Sequence, residues 1–153
     1  MEDDSLLIER ELRILLIIVC SIAFSLLVYV GVAFVLLRQG TVGPIATPAF
    51  LPWVLAVVAV SILVTAGTVA KTIMARVRTV ETASEKLTAY RSAVIVGAAM
   101  RESVGVIGLF ATLITHNLLW VGVLSALAAL AILTNLPTRS TLQSALQENT
   151  PIG

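Results

Sequence analysis

Residues Ile14 to Leu37 form a run of 24 residues without a single charged side chain. A helix needs about 20 mostly apolar residues, at about 1.5 Å each, to cross the hydrocarbon layer of a membrane. Inside that layer only helices and closed barrels satisfy every backbone hydrogen bond. The run therefore predicts a membrane-spanning helix and restricts the chain to folds that a bilayer can hold.

The composition supports this class. The chain is 58% hydrophobic and 12% charged, whereas a soluble domain has about 25% charged residues. The net charge of +1 argues against a nucleic-acid partner. The acidic start lacks the basic region of a signal peptide, and the apolar run that follows is too long for a signal-peptide core. We expect the first segment to be a retained anchor.

Three further apolar segments predict an all-α fold, an integral membrane bundle of four transmembrane helices. The predicted helices cover residues 12–37, 51–77, 92–115 and 118–136 of a single membrane domain, 1–153, with a polar tail at 137–153. His116 and Asn117 leave room only for a tight turn between segments three and four. Asn117 tolerates the left-handed conformation that such a turn often requires.

The basic residues predict the orientation, because cytoplasmic loops carry an excess of Lys and Arg. Arg38 is the one basic residue in the loop after segment one. Apart from Arg101, which lies inside segment three, the remaining basic residues lie near the segment ends on the other side of the membrane: Arg10, Arg13, Lys71, Arg76, Arg78, Lys86, Arg91 and Arg139. Both termini should be cytoplasmic, in a multi-pass protein of the inner (plasma) membrane. Trp53 and Trp120 should then lie at the outer interface.

The sequence Thr82-Ala83-Ser84-Glu85 fits a capping box, in which the first and fourth side chains bond each other's free backbone donors. A helix from there to Thr115 would be about 50 Å long, more than the membrane core of about 30 Å. Helices two and three should therefore project into the cytoplasm. The alternative is a helix that starts near Tyr90.

The third segment contains the adjacent charges Arg101 and Glu102, which are costly at membrane depth. On a helix, Arg101 belongs to a stripe of mostly small residues. Small residues let another helix approach closely. The stripe consists of Gly97, Arg101, Gly105, Gly108 and Thr112, flanked by Ala98 and Glu102. Arg101 can snorkel to the cytoplasmic boundary, about 8 Å away. Glu102 is therefore a stronger candidate for a functional residue than Arg101. The alternatives for its role are an assembly contact, an ion or proton path, and ligand binding.

The sequence Val96-Gly97-Ala98-Ala99-Met100-Arg101-Glu102-Ser103-Val104-Gly105-Val106-Ile107-Gly108-Leu109 resembles the carboxylate helix of the ATP synthase proteolipid, subunit c. The resemblance implies reversible proton or cation binding at Glu102. As a whole the chain looks like small uncharacterised bacterial four-helix membrane proteins, a resemblance that implies no function.

No enzyme motif is present, and a single His and a single Cys exclude most metal sites and Cys–His pairs. We expect no catalytic residues, metal or cofactor. The favoured function is a small non-enzymatic subunit or scaffold of a membrane assembly, with the bilayer and copies of itself or other membrane subunits as partners. The alternatives are a proteolipid-like carrier centred on Glu102 and a small oligomeric transporter. The transporter would have a polar cavity near Thr65, Thr68, Thr72 and Glu102.

Overall fold

The computed structural model describes residues 2–40, 43, 48–77 and 82–141. These residues form four helices and no strand: α1 (Glu2–Gln39), α2 (Leu51–Val77), α3 (Ala83–Thr115) and α4 (Leu119–Leu133). Three of them are long and apolar enough to cross a membrane, over Ile8–Gln39, Leu51–Ala75 and Ser84–Thr115. The prediction of an all-α chain with membrane-compatible helices is confirmed. In the predicted polar tail, residues 142–153 lie outside the described part.

The fourth apolar segment forms a helix of only 15 residues, shorter than the predicted 118–136. At about 1.5 Å per residue this helix is about 22 Å long. After Leu133 the chain turns: the Asn135 N–H bonds the Ile132 carbonyl at 3.1 Å, and Pro137 follows. Proline lacks the N–H that a continuing helix would need.

The third helix begins at Ala83 and contains 33 residues, as the start signal at Thr82 predicts. Thr82 has extended backbone dihedrals, but no side chain caps the free backbone N–H groups at this end. The Thr82 hydroxyl instead donates to Glu85 Oε2 at 2.6 Å. The position predicted for the helix start is therefore correct, whereas the reciprocal bonding of a capping box is not formed.

The turn between α3 and α4 differs from the prediction in one residue. His116, with φ 55°, takes the left-handed conformation that was expected at Asn117. A left-handed residue directly after the last helical turn is a common way to end a helix. Asn117 instead stabilises the start of α4, because its Oδ1 accepts a hydrogen bond from the Leu119 N–H at 3.0 Å.

Helix α3 is central and packs against each of the other three helices, whereas α2 contacts α3 far more than α4. The shared core contains buried residues from every helix: Val19, Leu26, Ala59, Ala98, Val104, Leu124, Ala128 and Ile132. Trp53 and Trp120 meet edge to face with ring centroids 5.5 Å apart. The N-terminal ends of α2 and α4 are thus adjacent.

Two ion pairs lie at the opposite end of the bundle. Arg91 Nε lies 3.7 Å from Glu11 Oε2, and Arg139 Nη1 lies 3.8 Å from Glu9 Oε1. These pairs join α1 to α3 and to the segment after α4. The first turns of α1 therefore run beside the part of α3 that precedes residue 92.

Candidate functional site

The stripe predicted on α3 is a line of contact with all three neighbouring helices. Gly97, Ala98, Arg101, Gly105, Gly108 and Thr112 are buried, and Glu102 is half-buried. The structure therefore brings every predicted stripe residue into the interior of the bundle or to its edge. The two charged side chains, however, face different surroundings.

Gly105 allows α1 to approach α3. A Cβ at this position would collide with the Leu26 side chain and would lie 3.3 Å from the Tyr29 ring. Because no side chain intervenes, the hydroxyl-bearing face of α1 comes within hydrogen-bonding distance of α3. This close approach occurs one helical turn after Glu102.

Glu102 is bonded by two hydroxyl groups of α1. Its Oε1 accepts hydrogen bonds from Ser25 Oγ at 2.5 Å and from Tyr29 OH at 2.7 Å. Glu102 lies 13 residues before Thr115, the last residue of α3, so it is about 20 Å along the helix from that end. If α3 spans a membrane, a carboxyl group at this position would lose much of its water, and the two hydroxyls would replace part of that hydration.

Ser25 and Tyr29 were not predicted as site residues. They are four residues apart and therefore lie on one face of α1. Together with Ser21, they are the polar exceptions in a mostly apolar run, and this spacing of polar residues is the signal that the sequence contains. What the sequence could not give is the pairing of this face with Glu102, because that pairing depends on how α1 and α3 are arranged.

Arg101 faces away from this cluster. The residue is only 7% exposed, and its Nη1 would lie 3.0 Å from a Cβ on Gly97. The guanidinium thus reaches back one turn toward the start of α3. Within the part of the chain that the structure describes, no carboxylate or hydrogen-bond acceptor is paired with it.

Arg101 lines a cavity of about 350 Å³, here called the Arg101 cavity, between α2, α3 and the segment that follows α4. Lys71 contributes a second positive charge to the wall. Among the residues that the structure describes, the lining is Gly67, Ala70, Lys71, Met74, Tyr90, Ala93, Val94, Arg101, Thr134, Asn135, Leu136, Pro137 and Thr141. None of these residues is acidic.

Gly108 and Thr112 form the contact between α3 and α4. A Cβ on Gly108 would lie 3.1 Å from Val121 Cα and 3.2 Å from the Trp120 carbonyl oxygen, both backbone atoms. Thr112, which is fully buried, accepts a hydrogen bond from the Val121 N–H at 2.9 Å. This bond satisfies one of the free N–H groups in the first turn of α4.

The residues expected around a transporter cavity do not come together. Thr65, Thr68 and Thr72 are exposed on α2, and each hydroxyl donates to a carbonyl three or four residues earlier. Glu102 faces α1 instead. His116 and Cys20 are exposed, and the described residues contain no group of three His, Cys, Asp or Glu side chains that could hold a metal.

The fold and the site thus define an all-helical chain with three membrane-compatible helices and an internally bonded carboxyl group. No protein-family model, no curated protein and no solved structure matches it.

Proposed function

We propose that this chain is a small, non-enzymatic integral membrane protein that acts as a subunit or scaffold of a larger membrane assembly. It would span the membrane with four helices and keep both termini in the cytoplasm. The proposed contact surface is the exposed face of α2. This location refines the expectation from the sequence, which favoured the stripe on α3.

The observation that carries the proposal is a line of small hydroxyl residues on the outside of α2. Ser61, Thr65, Thr68 and Thr72 are spaced by four, three and four, and all are exposed. Gly67 beside them has no atom within 4 Å of the place where its Cβ would be. In membranes, Gly, Ser and Thr are enriched where helices pack against each other.

Apolar residues flank the hydroxyl line. Val57 and Val64 are 67% and 66% exposed, and of the three membrane-compatible helices α2 has the smallest buried share. A second helix that packed here would find a small-residue groove beside bulky valines. That pattern fits a protein partner better than it fits lipid alone, because lipid gains nothing from a groove of small residues.

The hydrogen bonds of Glu102 within its own chain also favour assembly through α2. Its carboxyl group is held by Ser25 and Tyr29 of the same chain. A contact to a neighbouring subunit through Glu102 would have to compete with two existing hydrogen bonds. Assembly through α2 needs no such exchange, because each threonine hydroxyl is bonded to its own helix backbone.

Native mass spectrometry from mild detergent tests this proposal. We expect an oligomer or a complex with a second membrane protein, and we expect the double substitution Thr65→Leu and Thr68→Leu to disperse it. Ser21→Leu is the matched control, because Ser21 is also exposed but lies on α1. A chain that is monomeric and free of partners under conditions that preserve known complexes would overturn the proposal.

The second candidate is a proteolipid-like proton or cation carrier centred on Glu102. The two hydrogen-bond acceptors around Ser25 favour it. Ser25 Oγ lies 2.6 Å from the Ile22 carbonyl oxygen and 2.5 Å from Glu102 Oε1. A serine hydroxyl has one proton and cannot donate fully to both acceptors.

A proton on Glu102 would resolve this competition. The carboxyl O–H could donate to Ser25 Oγ, and Ser25 could then donate to Ile22. In the ionised form, Ser25 and Tyr29 would both donate to Glu102. The same three side chains can therefore bond either form of the carboxyl group, which is a property that a reversible carrier needs.

Labelling with dicyclohexylcarbodiimide separates the two candidates. A carrier predicts that the reagent modifies Glu102 and that Na⁺ or high pH protects it. Glu102→Gln is the negative control, and a known proteolipid treated in parallel is the positive one. If Glu102 stays unlabelled while the proteolipid is modified, the carrier is contradicted and the assembly role is unaffected.

A further inference from the structure

We infer that the Arg101 cavity binds a phosphate group with net negative charge, supplied either by an anionic lipid headgroup or by a free phosphate compound. The inference does not rest on the proposed assembly role, although Gly67 borders both the cavity and the assembly surface on α2. It rests on the burial of Arg101, on the charge of the wall, and on the position of the cavity along α3.

The first step is the burial of Arg101 without a partner. The residue is more than nine-tenths buried, yet no described acceptor or carboxylate is paired with its guanidinium. A charge that has lost most of its water without compensation is unfavourable. The guanidinium nitrogens are nevertheless not fully enclosed, so they can be reached by a ligand in the cavity. The guanidinium presents donors in a planar fork that matches the oxygens of phosphate. Among the described residues, Arg101 is therefore a recognition group without an anionic partner.

The second step is the charge of the wall. Arg101 and Lys71 together bring two positive charges, and the described residues of the lining include no carboxylate. The C-terminal end of α4, at Thr134 and Asn135, also lines the cavity. A helix C-terminus supplies only about half a negative charge. The wall therefore remains net positive, and an anion is needed to balance it.

The third step is the space. A volume of about 350 Å³ is within the range of small-ligand sites, about 300–1,000 Å³. Gly67, Ala70 and Ala93 leave this room because their side chains are absent or small. Gly97 matters too, since any side chain there would press on the Arg101 guanidinium. Small residues thus surround the charged group on both α2 and α3.

The fourth step is the depth. Arg101 lies 14 residues before the end of α3 at Thr115, about 21 Å along the helix. With a hydrocarbon layer of about 30 Å, the cavity sits near the boundary with the headgroups. Basic cavities between membrane helices at this level suit lipid phosphate groups. The apolar part of the wall, Met74, Val94 and Leu136, would face the glycerol and upper acyl chain.

The test uses the full chain, delipidated in neutral detergent, and measures Kd for three probes. These are short-chain phosphatidylglycerol, short-chain phosphatidylcholine and sodium phosphate. We expect Arg101→Gln to weaken the binding of the anionic probe about tenfold or more. Arg10→Gln is the matched control, because Arg10 is an exposed cation that is not part of the cavity wall.

Lys71→Gln provides a variant with little risk to folding, because Lys71 is exposed. We expect it to weaken binding about threefold. Phosphatidylglycerol binding that depends on Arg101 and resists added phosphate supports a lipid headgroup as the ligand. Binding of phosphate itself that depends on Arg101 supports a free phosphate compound. Equal affinity of both lipids in the wild type and both cavity variants, with no phosphate binding, would overturn the inference.

Discussion

Tyr29 OH donates a hydrogen bond to Glu102 Oε1 at 2.7 Å and so joins the middle of α1 to the middle of α3. The bond exists because Gly105 lets the two helices approach. A small residue and a carboxyl group one turn apart on α3 thus act together. The glycine allows a short distance between the helices, and the carboxyl group forms hydrogen bonds across that distance.

A double-mutant cycle with Tyr29→Phe and Glu102→Leu should give a coupling free energy of about 0.5–2 kcal/mol, the range measured for hydrogen bonds between membrane helices. Unfolding in detergent, followed by circular dichroism, provides the free energies. Tyr90→Phe is the control, because its hydroxyl contacts Thr141 and not Glu102. Additive effects of Tyr29→Phe and Glu102→Leu would mean that the hydrogen bond between Tyr29 and Glu102 contributes nothing to stability.

Gly108→Ala should destabilise the fold by about 1–3 kcal/mol, the usual cost of overpacking. The new methyl would press on Val121 Cα and the Trp120 carbonyl, and backbone atoms cannot rotate away. Gly122→Ala is the matched control on the facing helix, since nothing lies within 4 Å of its Cβ position. It should be neutral or slightly stabilising, because alanine has the higher helix propensity. Thermal unfolding in detergent would compare the two, and equal losses would contradict the contact.

Thr112→Val should cost about 1–3 kcal/mol, because it leaves the buried Val121 N–H without its acceptor at nearly unchanged volume. Thr112→Ser keeps a hydroxyl and should recover most of the loss. Thr115→Val serves as the control, since the Thr115 hydroxyl only donates to its own helix at Ala111. Hydrogen exchange at Val121 is a direct readout, and unchanged protection in Thr112→Val would count against the bond.

Removing Arg91 should be more costly than removing Arg139. Both pair with glutamates of α1, but Glu11 is the more buried partner and its Oε2 has no hydrogen bond. Arg139→Gln should change stability by at most about 0.5 kcal/mol, as is usual for exposed pairs. Arg91→Gln should cost about 1 kcal/mol, because the partly desolvated Glu11 carboxylate loses its counter-charge. Chemical denaturation at low salt measures both variants, and the reverse ranking would refute this comparison.

The helices and the stripe on α3 could be predicted from local features of the sequence. Long apolar runs, the start signal at Thr82 and the spacing of Gly97, Gly105 and Gly108 each depend on residues close together in the chain. The partners of Glu102 could not be predicted, because Ser25 and Tyr29 are more than 70 residues away along the chain. Which helix faces which is decided by packing, and several arrangements can bury the same stripe.

The turn at His116 shows that the role of a single residue is also hard to predict from the sequence. Both His116 and Asn117 can adopt the left-handed conformation, and Asn and His are among the residue types enriched there. Their roles are separated by position: one residue ends α3, and the next accepts the Leu119 N–H at 3.0 Å. The sequence supplied two suitable residues without fixing which would take which role. At Thr82 and Glu85 the residue types of a capping box could likewise be recognised, but not their bonding partners. Their side chains bond to each other instead of to the backbone.

The 15-residue length of α4 has a consequence for the surrounding lipid. If α4 crosses the membrane, as the proposed four-helix arrangement requires, a helix of about 22 Å beside a hydrocarbon layer of about 30 Å produces hydrophobic mismatch. The lipid next to α4 would then thin, or headgroups would move toward Leu133, and either adjustment costs free energy that grows with bilayer thickness. The four-helix proposal therefore predicts that the chain partitions toward thinner membranes and that its neighbouring lipids are most deformed on the side where α4 ends.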